Sequence, residues 1–144
     1  MTISTRRYIA PMIAAIWIGL IIGVAFYASS IKFTAPGVGR TQLLSVGQVT
    51  FQGLTWVELA AFLSLLLASW SQRTRSVIKS IVVLALLLLL QKMAVQPILN
   101  TAITQAIAGE SVDTIALHFV YGGLDCAKLA VLFLLSRNLS STVD

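Results

Sequence analysis

Residues Thr114 to Leu135 read TIALHFVYGGLDCAKLAVLFLL. The stretch is long enough to cross a bilayer as a helix, which takes about 20 apolar residues. Inside it stand His118, Tyr121, Asp125 and Lys128, spaced by three and four residues. On a helix that spacing gathers all four on one side, with leucines over much of the remainder. Hydrocarbon solvates such a stripe poorly, so the stripe must face other protein or a hydrated cavity. Other apolar helices of the same chain are the nearest source of partners.

The composition agrees. Of 144 residues, 58% are hydrophobic and only 10% are charged, whereas a soluble domain carries about 25% charged residues. The net charge of +5 is not a nucleic-acid footprint, because the basic residues sit in short connections without aromatic interleaving or a nucleic-acid fold motif. Cys126 is the single cysteine, which rules out an internal disulfide and a dithiol motif. Within an apolar helix it reads as a buried, inert thiol.

Outward from that stretch, three more spans are expected, giving helices over roughly 9–31, 45–70, 77–99 and 114–136. The first follows Arg6 and Arg7, is too long for a signal-peptide core, and has Pro11 in its first turn. Gly19 and Gly23, four apart, offer a small-residue face for another helix. Ala35-Pro36-Gly37 marks a turn. The second span starts either near Leu44 or near Gly53, and only the early start places Glu58 well inside the membrane. In the third, Gln91, Lys92 and Gln96 restore polarity just before Pro97, which marks an end or a kink. The following connection has room for a short interfacial helix ending at Gly109.

Four spans return both ends to one side. Arg6, Arg7, Arg73, Arg75, Lys79 and Arg137 then share a face against Lys32 and Arg40. By the positive-inside rule both termini are cytoplasmic. The expected architecture is all-α: a single transmembrane domain over residues 1–144, an antiparallel four-helix bundle in the cell (inner) membrane.

At about 1.5 Å per residue, Glu58, Lys92, Asp125 and Lys128 fall in overlapping layers near mid-membrane, so acid and base are available to each other. Their formal charges pair or move toward neutrality. His118 lies seven residues further out on the face of Asp125. Tyr121 and Tyr27 are further donors, and Gln91 adjoins Lys92. The candidate ligand- or ion-binding residues are therefore Glu58, Lys92, His118, Tyr121, Asp125 and Lys128.

Other chemistries are trimmed by inventory. One histidine cannot give bis-histidine haem ligation within one chain, and Met93 is the only methionine at a depth comparable to His118. No HExxH, phosphate loop, dinucleotide glycine pattern or nucleophile elbow occurs. Two carboxylates with two lysines nearby make a poor calcium site. No metal is expected and no cofactor is specified.

Three passages resemble a widespread family of small four-helix inner-membrane proteins known only as a domain of unknown function. GVAFYASSIKFTAPG (23–37) is similar to its aromatic-rich end of the first helix, VGQVTFQGLTWVE (46–58) to its entry into the second, and LHFVYGGLDCAKL (117–129) to its histidine-bearing last helix. The resemblance implies that His118 is the family histidine and Pro36 its turn proline. Asp125 and Lys128 depart from that pattern. It implies location and architecture, and no reaction.

Three functions suit this sequence. One is a bundle that binds or conducts an ion, proton or small polar solute, as a homo-oligomer where a path needs more helices. Another is a non-catalytic accessory subunit of a larger membrane complex. The third is a redox protein binding lipid, quinone or haem. No convergent catalytic set is present, so the chain reads as a binding or structural protein before an enzyme, with membrane lipids as surroundings and no nucleic-acid partner.

Overall fold

In the computed structural model, which describes residues 3–72, 74–112 and 114–140 and side chains from Tyr8 onward, the chain is an all-α, four-helix bundle. Arg73 and the side chains of Arg6 and Arg7, half of the basic residues assigned to one face, lie outside the described residues. Four helices are long and apolar enough to cross a membrane: α1 over Tyr8–Thr34, α2 over Arg40–Ala68, α3 over Arg75–Ile107 and α4 over Ile115–Ser140. Helical structure preceding α1 begins at Ile3, so Pro11 sits within the helix and not in its first turn. Helix α2 starts at Arg40, earlier than either expected start, which sets Glu58 deep in the helix.

A sevenfold pattern explains the packing. In α4, Tyr121, Asp125, Lys128, Leu132, Leu135 and Leu139 are all buried, alternating by four and three residues. Ala10, Ala14, Trp17 and Ile21 form the same seam on α1, and Val77, Leu84 and Gln91 mark it on α3. Such spacing keeps one face against the neighbouring helices. Helix α4 packs along α1 and α3, and α1 also packs along α2.

Two apolar clusters sit on either side of a polar layer. The larger joins Ala10, Ala14, Trp17, Ile21, Leu65, Val77, Leu84, Leu132, Leu135 and Leu139. The smaller joins Leu44, Leu99, Ile103 and Tyr121. Large residues such as Ile16, Leu63, Leu86 and Phe133 are exposed around the outside, as lipid contact requires.

Two of the helices change pitch at the level of the polar layer. Residues Ile21–Ala28 of α1 and Gln91–Val95 of α3 are π-helical. A π turn inserts an extra residue per turn and rotates everything beyond it. On α3 the seam therefore jumps from Gln91 to Gln96 and Leu99, and Ile98, the next sevenfold position, is exposed. The helix continues through Pro97 to Ile107 and ends before Gly109, whose φ of +90° suits glycine. The expected interfacial helix is thus the far end of α3. Thr74 caps its start by accepting from the Val77 N–H at 3.3 Å.

Candidate functional site

The polar layer is a bridged set of charges. The Lys128 ammonium is fully buried and lies between two carboxylates. It donates to Glu58 Oε1 of α2 and, at 2.8 Å, to Asp125 Oδ1 one turn away on α4. Trp17 Nε1 of α1 also donates to Glu58 Oε1, at 3.1 Å. Gln91 Nε2 of α3 donates to Asp125 Oδ1 at 3.0 Å. Every helix of the bundle contributes at least one member, and α4 contributes two. Glu58 and Asp125 are each only 1% exposed, so these bonds replace the water that ionised carboxylates require.

Three of the six residues singled out from the sequence, Glu58, Asp125 and Lys128, thus meet directly. Tyr121 adjoins them. Its ring packs edge-on against Phe51, centroids 5.1 Å apart, and its hydroxyl lies beside Thr55 and Gln91. That buried hydroxyl and the buried Gln91 Oε1 make no hydrogen bond of good geometry.

His118 is exposed and lines a cleft of about 200 Å³ with Ser29, Ser30, Lys32, Tyr121 and Asp125 among its walls. The cleft reaches from the α1 end near Phe33 to Asp125. Lys32 lies over the Phe33 ring at 5.1 Å and the Phe51 ring at 5.9 Å. A Cβ on the buried Gly47 would collide with the Lys32 ammonium, so glycine there lets Lys32 fold inward. Ser29 takes its place on the wall through the π turn, its hydroxyl donating to the Val24 carbonyl at 3.1 Å.

Lys92 does not join the layer. Its ammonium stands 3.6 Å from the Trp56 ring centroid, on the outer side of α2 and α3. Tyr27, at 66% exposed, is not among the residues that line the cleft. Met93 is exposed and absent from the cleft wall that His118 lines, so the two are not brought together as ligands. Cys126 is exposed, not buried as its apolar setting suggested. Gly19 and Gly23 have open space where a side chain would stand, so neither marks a helix contact within this bundle. Among the described residues no group of three or more His, Cys, Asp or Glu is placed to hold a metal ion.

Trp17 and Thr55 are participants that sequence reading passed over, and Gln96, read there as a return of polarity, is not among its candidate site residues. Thr55 donates to Gln96 Oε1 at 3.1 Å, tying α2 to α3 above the charges. Trp17 lies on the same seam as Ala10, Ala14 and Ile21, and that spacing was the available clue. No protein-family model matches the chain, and comparison with curated proteins and with solved structures finds no match for it.

Proposed function

We propose that this chain is a multi-pass protein of the cell (inner) membrane that takes a proton or a small polar solute from one face onto a buried Glu58–Lys128–Asp125 site. The observation that carries the reading is the cleft whose walls run from Lys32 and His118 to Asp125. A purely structural ion pair has no need of a polar approach from the surface.

Charge counting sharpens it. Two carboxylates face one ammonium, so the fully ionised set carries one excess negative charge in a poorly solvating layer. A single proton or a guest cation removes that excess. Lys128 occupies the position between the carboxylates, which leaves the cleft side of Asp125 as the place for exchange. His118 and Tyr121 then act as outer hydrogen-bonding groups for the incoming species.

The antiparallel arrangement with both termini cytoplasmic is supported by the bias of basic residues toward the ends and the 71–79 connection. The cleft then opens to the side opposite the cytoplasm. One chain suffices for such a binding site, whereas a conduction path calls for further helices from a homo-oligomer.

A second reading is favoured by one observation: Trp17, Glu58, Lys128, Asp125 and Gln91 form an unbroken polar chain across all four helices. It would serve as a lock that fixes helix register, as in an accessory subunit. Infrared difference spectra of the protein in nanodiscs, taken on adding a small polar solute and on exchange into heavy water, separate the two. The binding site gives a carboxyl signal that Asp125→Asn abolishes while the variant stays folded, and His118→Ala weakens solute retention. A lock gives no such signal and an Asp125→Asn variant that unfolds.

A further inference from the structure

Helices α2 and α3 leave a furrow on their outer side, separate from the cleft. Its apolar arm is lined by Leu59, Phe62, Ala85, Leu88 and Leu89, with a volume of about 190 Å³. Its polar arm, of about 310 Å³, is lined by Gln52, Trp56, Gln96, Pro97 and Asn100. Thr55 and Lys92 belong to both arms, so the two are one continuous surface. From Gln52 to Phe62 it runs for about 15 Å along the helix.

We infer that this furrow seats an anionic membrane phospholipid, with its phosphate on Lys92 and the start of an acyl chain along Phe62 and Leu88.

Charge complementarity names the occupant. Among the described residues Lys92 has no carboxylate at ion-pair distance, and neither arm is lined by an acidic residue. The Trp56 ring holds the ammonium from one side but cannot neutralise it. Gln52, Asn100 and the Trp56 indole add N–H donors beside it, which is the donor-rich setting a phosphodiester needs. The arrangement is also amphiphilic in the right order. Donors and charge occupy the arm toward Pro97, and purely apolar side chains occupy the arm toward Ala85.

The long stem of Lys92 can carry its ammonium away from the level of the polar layer, toward the polar arm and the nearer headgroups. Trp56 is an exposed indole beside it.

The test uses the full chain in mild detergent, titrated with phosphatidylglycerol or phosphatidylcholine of matched chains and read by native mass spectrometry. Wild type is expected to retain phosphatidylglycerol more tightly. Lys92→Gln should weaken that lipid about fivefold, the scale of one lysine near an anionic headgroup, and leave phosphatidylcholine unchanged. Lys92→Arg should keep the preference, and Ala85→Phe, which fills the apolar arm, should weaken both lipids. Equal retention of the two lipids by wild type, or an unaltered preference in Lys92→Gln, overturns the site. Displacement of phosphatidylglycerol by inorganic phosphate alone also overturns it, because a free anion would then be the occupant.

Discussion

Lys128 has an asymmetric relation to its two carboxylates, and the asymmetry fixes what mutations should do. Removing the ammonium leaves Glu58 and Asp125 facing each other with no cation in a layer that excludes water. Lys128→Met should therefore destabilise the bundle by about 3–5 kcal/mol, the usual cost of breaking a buried pair from one side. Glu58→Gln differs. Its amide oxygen can still accept from Trp17 and Lys128, and Lys128 remains matched to Asp125 as a neutral pair. That change should cost about 1 kcal/mol. Denaturation of the purified protein in mixed micelles measures both, and equal losses for the two variants would contradict the charge count. Gly47→Ala is a third case. The side chain it meets is the flexible tip of Lys32, and alanine favours the helix by about 1 kcal/mol. Stability should hold or rise while Lys32 is expelled from the cleft, read as altered solute retention.

Helices show why part of the site was legible and part was not. The stripe on α4 was plain because its spacing is regular across Tyr121, Asp125 and Lys128, and all three are buried. Leucines at Leu132, Leu135 and Leu139 continue the same pattern, so phase and face could be read together. On α3 the phase is interrupted. Gln91 and Lys92 stand about 100° apart on the helix, and the π turn beginning at Gln91 decides which faces inward. Hydrophobicity alone does not encode that turn, so Lys92 looked as internal as Gln91. Its true neighbour, Trp56, lies on another helix. The Trp17–Glu58 bond was hidden for a similar reason, since it links positions 41 residues apart. Deleting the exposed Ala94 tests the role of the π turn. The helix should regularise, placing Gln96, Leu99 and Ile103 four, seven and eleven positions after Gln91, so that they stay on the seam without the π turn. Cysteine cross-linking between α3 and α2 near Thr55 should then persist, as should contacts around Leu84 and Leu132. Loss of the cross-link near Thr55 would show that the π turn does not act as a single inserted residue in the seam.

Across the whole molecule the two ends of the bundle are unequal. From the Phe33 end, a polar cleft reaches Asp125. Beyond the charges, Trp17, Ile21, Leu65, Leu84, Leu132 and Leu135 are fully buried and belong to one cluster. Interiors of this kind are packed without room for water, so among the described residues the approach to Asp125 runs from the cleft side. A protein that passes its guest across must open that cluster in a second conformation, and a protein that only binds need not. Thiol accessibility reads the difference, and a background of Cys126→Ser removes the single native cysteine. Ser29→Cys on the cleft wall should react in intact cells with a reagent that cannot cross the membrane. Ser71→Cys, in the connection at the other end, should react only after the membrane is opened. Trp17→Cys, inside the cluster, should stay unreactive from both sides in a binder and become reactive from the cytoplasmic side in a transporter cycling with its solute. Labelling of Ser71→Cys in intact cells with Ser29→Cys silent would invert the orientation assigned from the basic residues. The cleft would then open to the cytoplasm, and the species reaching Asp125 would come from inside the cell.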